Sequence, residues 1–245
     1  MRRLIDYQDT DYAGQYLDRL LPFTRPPLQG QPALLQETAR HLALWMSYED
    51  TVRVAELKTR DTRFARVRDE VRVAGDQAMD IHEFMHPRLE EICDTLPAGL
   101  GRWLAASGWP KRLVQRFTQH GRVVATSSLS GFLLLYFVSG LKRWRRGSLR
   151  HAVETQAIEQ WLAQLAATGA QQPDLAVELA RCQGLVKGYG DTHTRGLGNF
   201  RTLMAALQRS GSAIAPATLR ELREAALADE HGRQLQAALQ RHALA

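Results

Sequence analysis

Between Ser130 and Arg150 the chain reads SGFLLLYFVSGLKRWRRGSLR. Every position from Phe132 to Val138 is apolar, and Lys142, Arg143, Arg145, Arg146 and Arg150 follow. A helix that is apolar on all sides leaves no face for water, so the pattern predicts a buried central helix over about 130–146. It would enter the core at Gly131 and leave it at the arginines, with the other helices packed around it.

The rest of the chain has helical periodicity. Residues 6–21 place Tyr12, Tyr16, Leu17 and Leu20 on one face, with Asp9 or Asp11 as N-cap. A proline-rich connection over 22–32 leads to a long helix, expected over 33–58 with Pro32 at its start. Its apolar stripe, Leu34, Leu35, Leu42, Trp45, Met46, Val52 and Leu57, is interrupted by polar positions at Ser47–Asp50. A further helix covers 61–73. The period weakens after it, and Val71–Val73 with Met79–Phe84 predict one small β-hairpin. Pro87, Pro97 and Pro110 open three short helices. Arg122–Thr126 is extended and leads into the central helix, with Ser127, Ser128 or Ser130 as its cap. Gly147 ends that helix and Ser148 caps the next, which is expected over 149–167. After a helix over 173–187 comes the glycine-punctuated stretch GYGDTHTRGLGN, read as a loop, then a short helix over 200–208. Two alanine-rich amphipathic helices close the chain. Strands do not alternate with helices, so a doubly wound sheet is not expected. The expectation is an all-α multi-helix bundle forming a single domain over 1–245, with its core at 4–208 and a helical tail at 216–243.

The chain has 245 residues, of which 44% are hydrophobic and 24% charged. That is globular rather than disordered composition. Cys93 and Cys182 lie far apart in amphipathic patterns and are read as two buried thiols, which fits a reducing, cytoplasmic setting. The start, MRRLIDYQDTDY, has no apolar h-region, so no leader is expected. The run after Gly131 is shorter than the ~20 apolar residues a bilayer span needs, so no membrane partner is expected. The net charge of +6 permits a nucleic-acid partner. That reading is set last, because many arginines have acidic neighbours at helical spacing, as at Glu221, Arg223 and Glu224.

No iron–sulfur cysteine cluster, H-E-x-x-H, P-loop or G-x-S-x-G motif is present. The richest polar stretch is Leu185–Phe200, where Lys187, Tyr189, Asp191, His193 and Arg195 sit among Gly188, Gly190, Gly196 and Gly198. Glycine-rich backbone before a helix, with cations beside it, outlines a phosphate or carboxylate site over Lys187–Gly198. The plainer reading is a helix–helix turn whose polar groups satisfy one another. Glu49, Asp50 and Arg53 form the second set. They belong either to a solvated ion-paired helix face or to an inward-turned network with Lys187 or Arg195. His82 and His86, four apart, lack a third ligand, so no metal site is assigned.

The segments LIDYQDTDYAGQYLDRL, LALWMSYEDTVRVAELKTR, RFARVRDEV, LEEICDTLP, TSSLSGFLLLYFVSGLKRWRRGSLR and LVKGYGDTHTRGLGNF carry a family likeness. Together they resemble the helical domain of unknown function at the C-terminus of bacterial indolepyruvate ferredoxin oxidoreductases. It occurs in the fused enzymes and in a long form of their beta subunit. The resemblance runs from about Leu4 to Phe200. Such enzymes oxidatively decarboxylate aryl 2-oxoacids to the acyl-CoA with thiamine diphosphate and iron–sulfur clusters. The signatures for those groups are missing from this chain. The resemblance therefore implies a non-catalytic accessory domain, excised or separately encoded, without cofactors of its own. Its partners would be the catalytic domains or subunits of the same oxidoreductase. Glu49, Asp50, Arg53, Lys187, Tyr189, Asp191, His193 and Arg195 would shape a surface facing them. The alternative is a module that binds an anion or coenzyme A through Lys187–Gly198.

Overall fold

The computed structural model describes residues 1–72, 79–85, 88–118, 122–188, 190–210, 214–229 and 232–244. Among them the chain forms fourteen α-helices and one two-stranded antiparallel sheet, the all-α class with a small β element that the periodicity predicts. Two compact units emerge. One comprises 1–48 and 155–245, and the other comprises 49–154.

The first unit opens with α1 (Arg2–Tyr7), α2 (Thr10–Leu20) and α3 (Pro32–Met46). Asp9 is the cap of α2, its carboxylate accepting the Tyr12 N–H at 2.8 Å. The helix expected over 33–58 is in fact two. Ser47 turns its hydroxyl back to donate to the Ala43 carbonyl at 2.7 Å. Asp50 accepts the Arg53 N–H at 2.6 Å and so starts α4 (Thr51–Thr59). Ser and Asp compete with backbone for helical hydrogen bonds, so the chain breaks here although the apolar spacing continues.

The inserted unit continues through α5 (Asp61–Glu70), β1 (His82–Met85), α6 (Leu89–Thr95), α7 (Ala98–Ala106), α8 (Trp109–Thr118), β2 (Arg122–Ala125) and α9 (Leu129–Gly140). A strand forms in the expected stretch, but β1 pairs with β2, His82 opposite Ala125 and Met85 opposite Arg122. Val71 and Arg72 instead close α5 as a turn, Arg72 taking a φ of 56°; Val73 lies outside the described residues. Ser128 caps α9, accepting the Gly131 N–H at 3.1 Å. Gly131 is required there, because a Cβ would stand 2.1 Å from the Ala125 carbonyl oxygen.

The helix expected to be buried at the centre is instead buried on one side only. The inner side of α9, Gly131 and Leu135, is buried, and α9 packs on α4, whose buried positions are Val52 and Ala55. Its outer side is in water: Leu129, Leu133, Leu134, Tyr136 and Phe137 are 51–76% exposed. Leu141–Gly147 leaves the α-helix as a 3₁₀ turn, in which Arg145 points inward while Arg143, Trp144 and Arg146 are exposed. A helix apolar all round is fully buried only where every face meets a partner, and within its unit α9 meets partners on one face.

The chain returns to the first unit along α10 (Leu149–Gly169), capped by Ser148 as expected. It then forms α11 (Pro173–Cys182), α12 (Gly190–Ser210), α13 (Pro216–Ala228) and α14 (Arg233–Arg241). Trp45 is the centre of this unit's core, its ring centroid 5.5 Å from those of both Trp161 and Phe200. The expected loop over 188–199 is mostly helix. Gly188 and Gly190 take left-handed φ values of 76° and 60°. Gly196 lies within α12, where a Cβ would stand 2.1 Å from the Leu185 carbonyl oxygen. The glycine therefore serves close helix packing rather than loop flexibility.

Candidate functional site

The α4 charges form a scaffold within the inserted unit. Asp50 accepts from both the Nε and an Nη of buried Arg145, at 2.8 and 3.2 Å, while also capping α4. Glu56 receives Arg53 at 2.8 Å, Arg60 at 2.7 Å and Lys142 at 3.4 Å. Buried Glu83 on β1 is held by Lys58 and Arg63. Burial alone would raise the Glu56 pKa, but the hydrogen bonds from Arg60 and Arg53 and the neighbouring positive charges outweigh it and hold the carboxyl below its usual range. An acid kept ionised in this way braces helices; it is not poised to donate a proton.

Lys187, Asp191, His193 and Arg195 belong to the other unit. Lys187 is exposed in the turn before α12, and Asp191, His193 and Arg195 follow on its first turns. Glu49 is exposed at the start of the inserted unit; Tyr189 lies outside the described residues. From Gly190 onward the segment is helical, so an anion would meet the first helical N–H groups there rather than a glycine-rich loop. His82 is exposed on β1, and His86 lies outside the described residues. Among the described residues no group of three His, Cys, Asp or Glu is placed to hold a metal ion.

One centre escaped the sequence reading. Glu178 on α11 is 1% exposed and receives Arg181 at 2.8 Å, Arg220 at 2.7 Å and Arg223 at 2.8 Å. Arg181 also reaches Glu37 on α3 at 3.1 Å. Beside it His41 bonds Gln183 at 3.0 Å. Local spacing signals only the Glu178–Arg181 pair; the α3 and α13 partners are more than 40 residues away. Burial favours the neutral form of Glu178, yet the arginines pull its pKa below the ordinary 4.5. Burial lowers His41 from 6.5, against the pull of Gln183 and Glu37.

Both shifts are depressions, so each group stabilises the fold above its unfolded pKa and loses that contribution as pH falls toward its folded value. The urea midpoint is expected to hold steady above pH 6.5. It then declines below 6.5 as the unfolded imidazole takes up its proton first, and falls more steeply below 4.5. His41→Asn should remove the first decline and keep the second. A flat midpoint from neutral pH down to 4.5 would contradict the His41 assignment.

The two thiols are buried. Burial pushes Cys182 up to about 12, and burial followed by the Asp94 and Glu90 charges raises Cys93. Neither thiol should be carbamidomethylated by iodoacetamide in native protein at mildly alkaline pH, and both should be after denaturation, as read by intact mass.

The surface of the inserted unit distinguishes it. Thirteen of the nineteen large apolar side chains that are exposed among the described residues lie in this smaller unit. It carries eighteen Lys and Arg against thirteen Asp and Glu, a net +5 of the chain's +6. Among the described residues no helix is long and apolar enough to cross a membrane. A family model described as a family of unknown function (DUF6537) matches residues 1–206. No curated protein and no solved structure matches the chain.

Proposed function

The chain belongs to the family of unknown function DUF6537, and from that premise we propose that it is a non-catalytic accessory domain of an indolepyruvate-type 2-oxoacid ferredoxin oxidoreductase. It docks on the catalytic domains, which bring the thiamine diphosphate and iron–sulfur chemistry, and it works in the cytoplasm. The motifs from Leu4 to Phe200 that resemble the C-terminal region of those enzymes support this reading.

The observation that carries the docking role is the inserted unit's unburied apolar surface, above all the outer side of α9. Monomers rarely leave contiguous apolar patches larger than a few hundred Å² in water, and larger ones mark interaction sites. The charges of α4 point the same way. Asp50, Glu56 and Glu83 are all taken by cations of their own unit, so they brace the helices behind the surface.

The test is co-purification of the full chain with the catalytic chains of the oxidoreductase from the same organism, followed by calorimetry. Binding is expected, and Phe137→Asp should weaken it by more than about thirtyfold, since it removes an aromatic anchor and places a charge in the interface. The melting temperature of the variant should be unchanged, because Phe137 is 70% exposed. No association of the wild-type chain with the catalytic chains would overturn the proposal.

A further inference from the structure

Leu129, Leu133, Tyr136, Phe137 and Gly140 are exposed at spacings of four, three, one and three residues, a single helical seam. Leu134 widens it. The five large side chains leave roughly 500 Å² of apolar surface in water, near the upper end for any monomer. That area is the size of an interface centre but below the about 800 Å² per partner of a standard interface, so a rim must complete it. Immediately after the seam come exposed Arg143, Trp144 and Arg146, the Arg143 guanidinium lying 5.5 Å from the Trp144 ring centroid. They lie in a stretch of one sign in sequence, of which Lys142, Arg145 and Arg150 are paired with Glu56, Asp50 and Asp94 of the same unit. Between Asp94 and Glu154 the chain has ten Lys and Arg and not one Asp or Glu.

We propose that the outer seam of α9 seats in an apolar groove of another protein whose rim carries carboxylates opposite Arg143. This rests on the docking reading above and adds the chemistry of the surface that is met. Charge complementarity selects the occupant. A second copy meeting this one seam to seam would bring the same exposed cations to the rim and supply no counter-charge. Nucleic acid needs cations that track its phosphates, and residues 129–140 contain none. A helix that lies in a bilayer surface carries Lys and Arg along its polar face. The other face of α9 carries no charge and packs on α4. An aromatic and aliphatic seam at i, i+4, i+7 and i+8 is the pattern of a helix laid into a protein groove.

Photocrosslinking of the full chain in the organism that makes it, with Phe137→p-benzoylphenylalanine, identifies the occupant. The expected product is a crosslink to an apolar protein segment with Asp or Glu within a few residues. Its yield should fall about fivefold when Arg143→Glu is added, as like charges meet. Crosslinks to lipid, to nucleic acid or to a second copy, no crosslink, or a yield indifferent to the charge reversal would each overturn the proposal. A carboxylate-rimmed partner that is not the oxidoreductase would leave this inference standing and remove the proposed parent enzyme. Catalytic chains that bind the wild type but are never crosslinked from position 137 would do the reverse.

Discussion

Glu178→Ala is expected to cost the unit built from 1–48 and 155–245 about 3 kcal/mol, the low end of what breaking a buried ion pair costs. Glu178 is 1% exposed and both of its oxygens are occupied, one by Arg181 and Arg220, the other by Arg223. Removing the carboxylate leaves three guanidinium groups facing one another. Arg220 and Arg181 can recover water, since their side chains are 53% and 37% exposed, but Arg223 at 14% cannot do so fully. That is why the low end of the range applies. The loss should appear as a lower urea midpoint with an unchanged slope. Hydrogen exchange should quicken first in α3, α11 and α13, the helices that Glu178 and Glu37 tie together. Unchanged exchange in those helices would show that the cluster is held by something other than Glu178.

Arg145→Ala should cost the inserted unit about 3–5 kcal/mol, because the Arg145 side chain is 2% exposed and its partner Asp50 only 11%. Asp50 has two roles, as cap and as counter-ion, and two substitutions separate them. Asp50→Asn keeps a capping oxygen and loses the charge, so most of the loss should remain. Asp50→Ala loses the cap as well, adding about 1 kcal/mol. The double variant Arg145→Ala with Asp50→Asn should be more stable than the sum of the two single losses, since no uncompensated charge is left. Additive losses, or a protein with Arg145→Ala as stable as the wild type, would contradict the pair.

What was readable in the sequence was local. The all-α class follows from apolar spacing within single helices, and Asp9, Ser128 and Ser148 cap the helices they precede because a cap needs only its own first turn. The break at Ser47–Asp50 was present as a polar interruption but was outweighed by a stripe that keeps its period across it. Gly196 sat in a stretch that looked like a loop; its real constraint, the approach of Leu185, is set by how the elements before and after the Gly188 turn pack. Glu178 was hidden because Glu37, Arg220 and Arg223 come from distant parts of the chain. The exposure of α9 was illegible for a different reason. A helix apolar on every side has no hydrophobic direction, so its sequence does not say which faces its own chain covers.

Carbene footprinting of α9, free and with the catalytic chains of the proposed oxidoreductase, measures that directly. The free chain is expected to be labelled at Leu129, Leu133, Tyr136 and Phe137 and spared at Leu135, with the outer labelling lost on binding while Leu135 stays spared. Outer positions that resist labelling in the free chain, or that label equally in the complex, would contradict α9 as a docking helix.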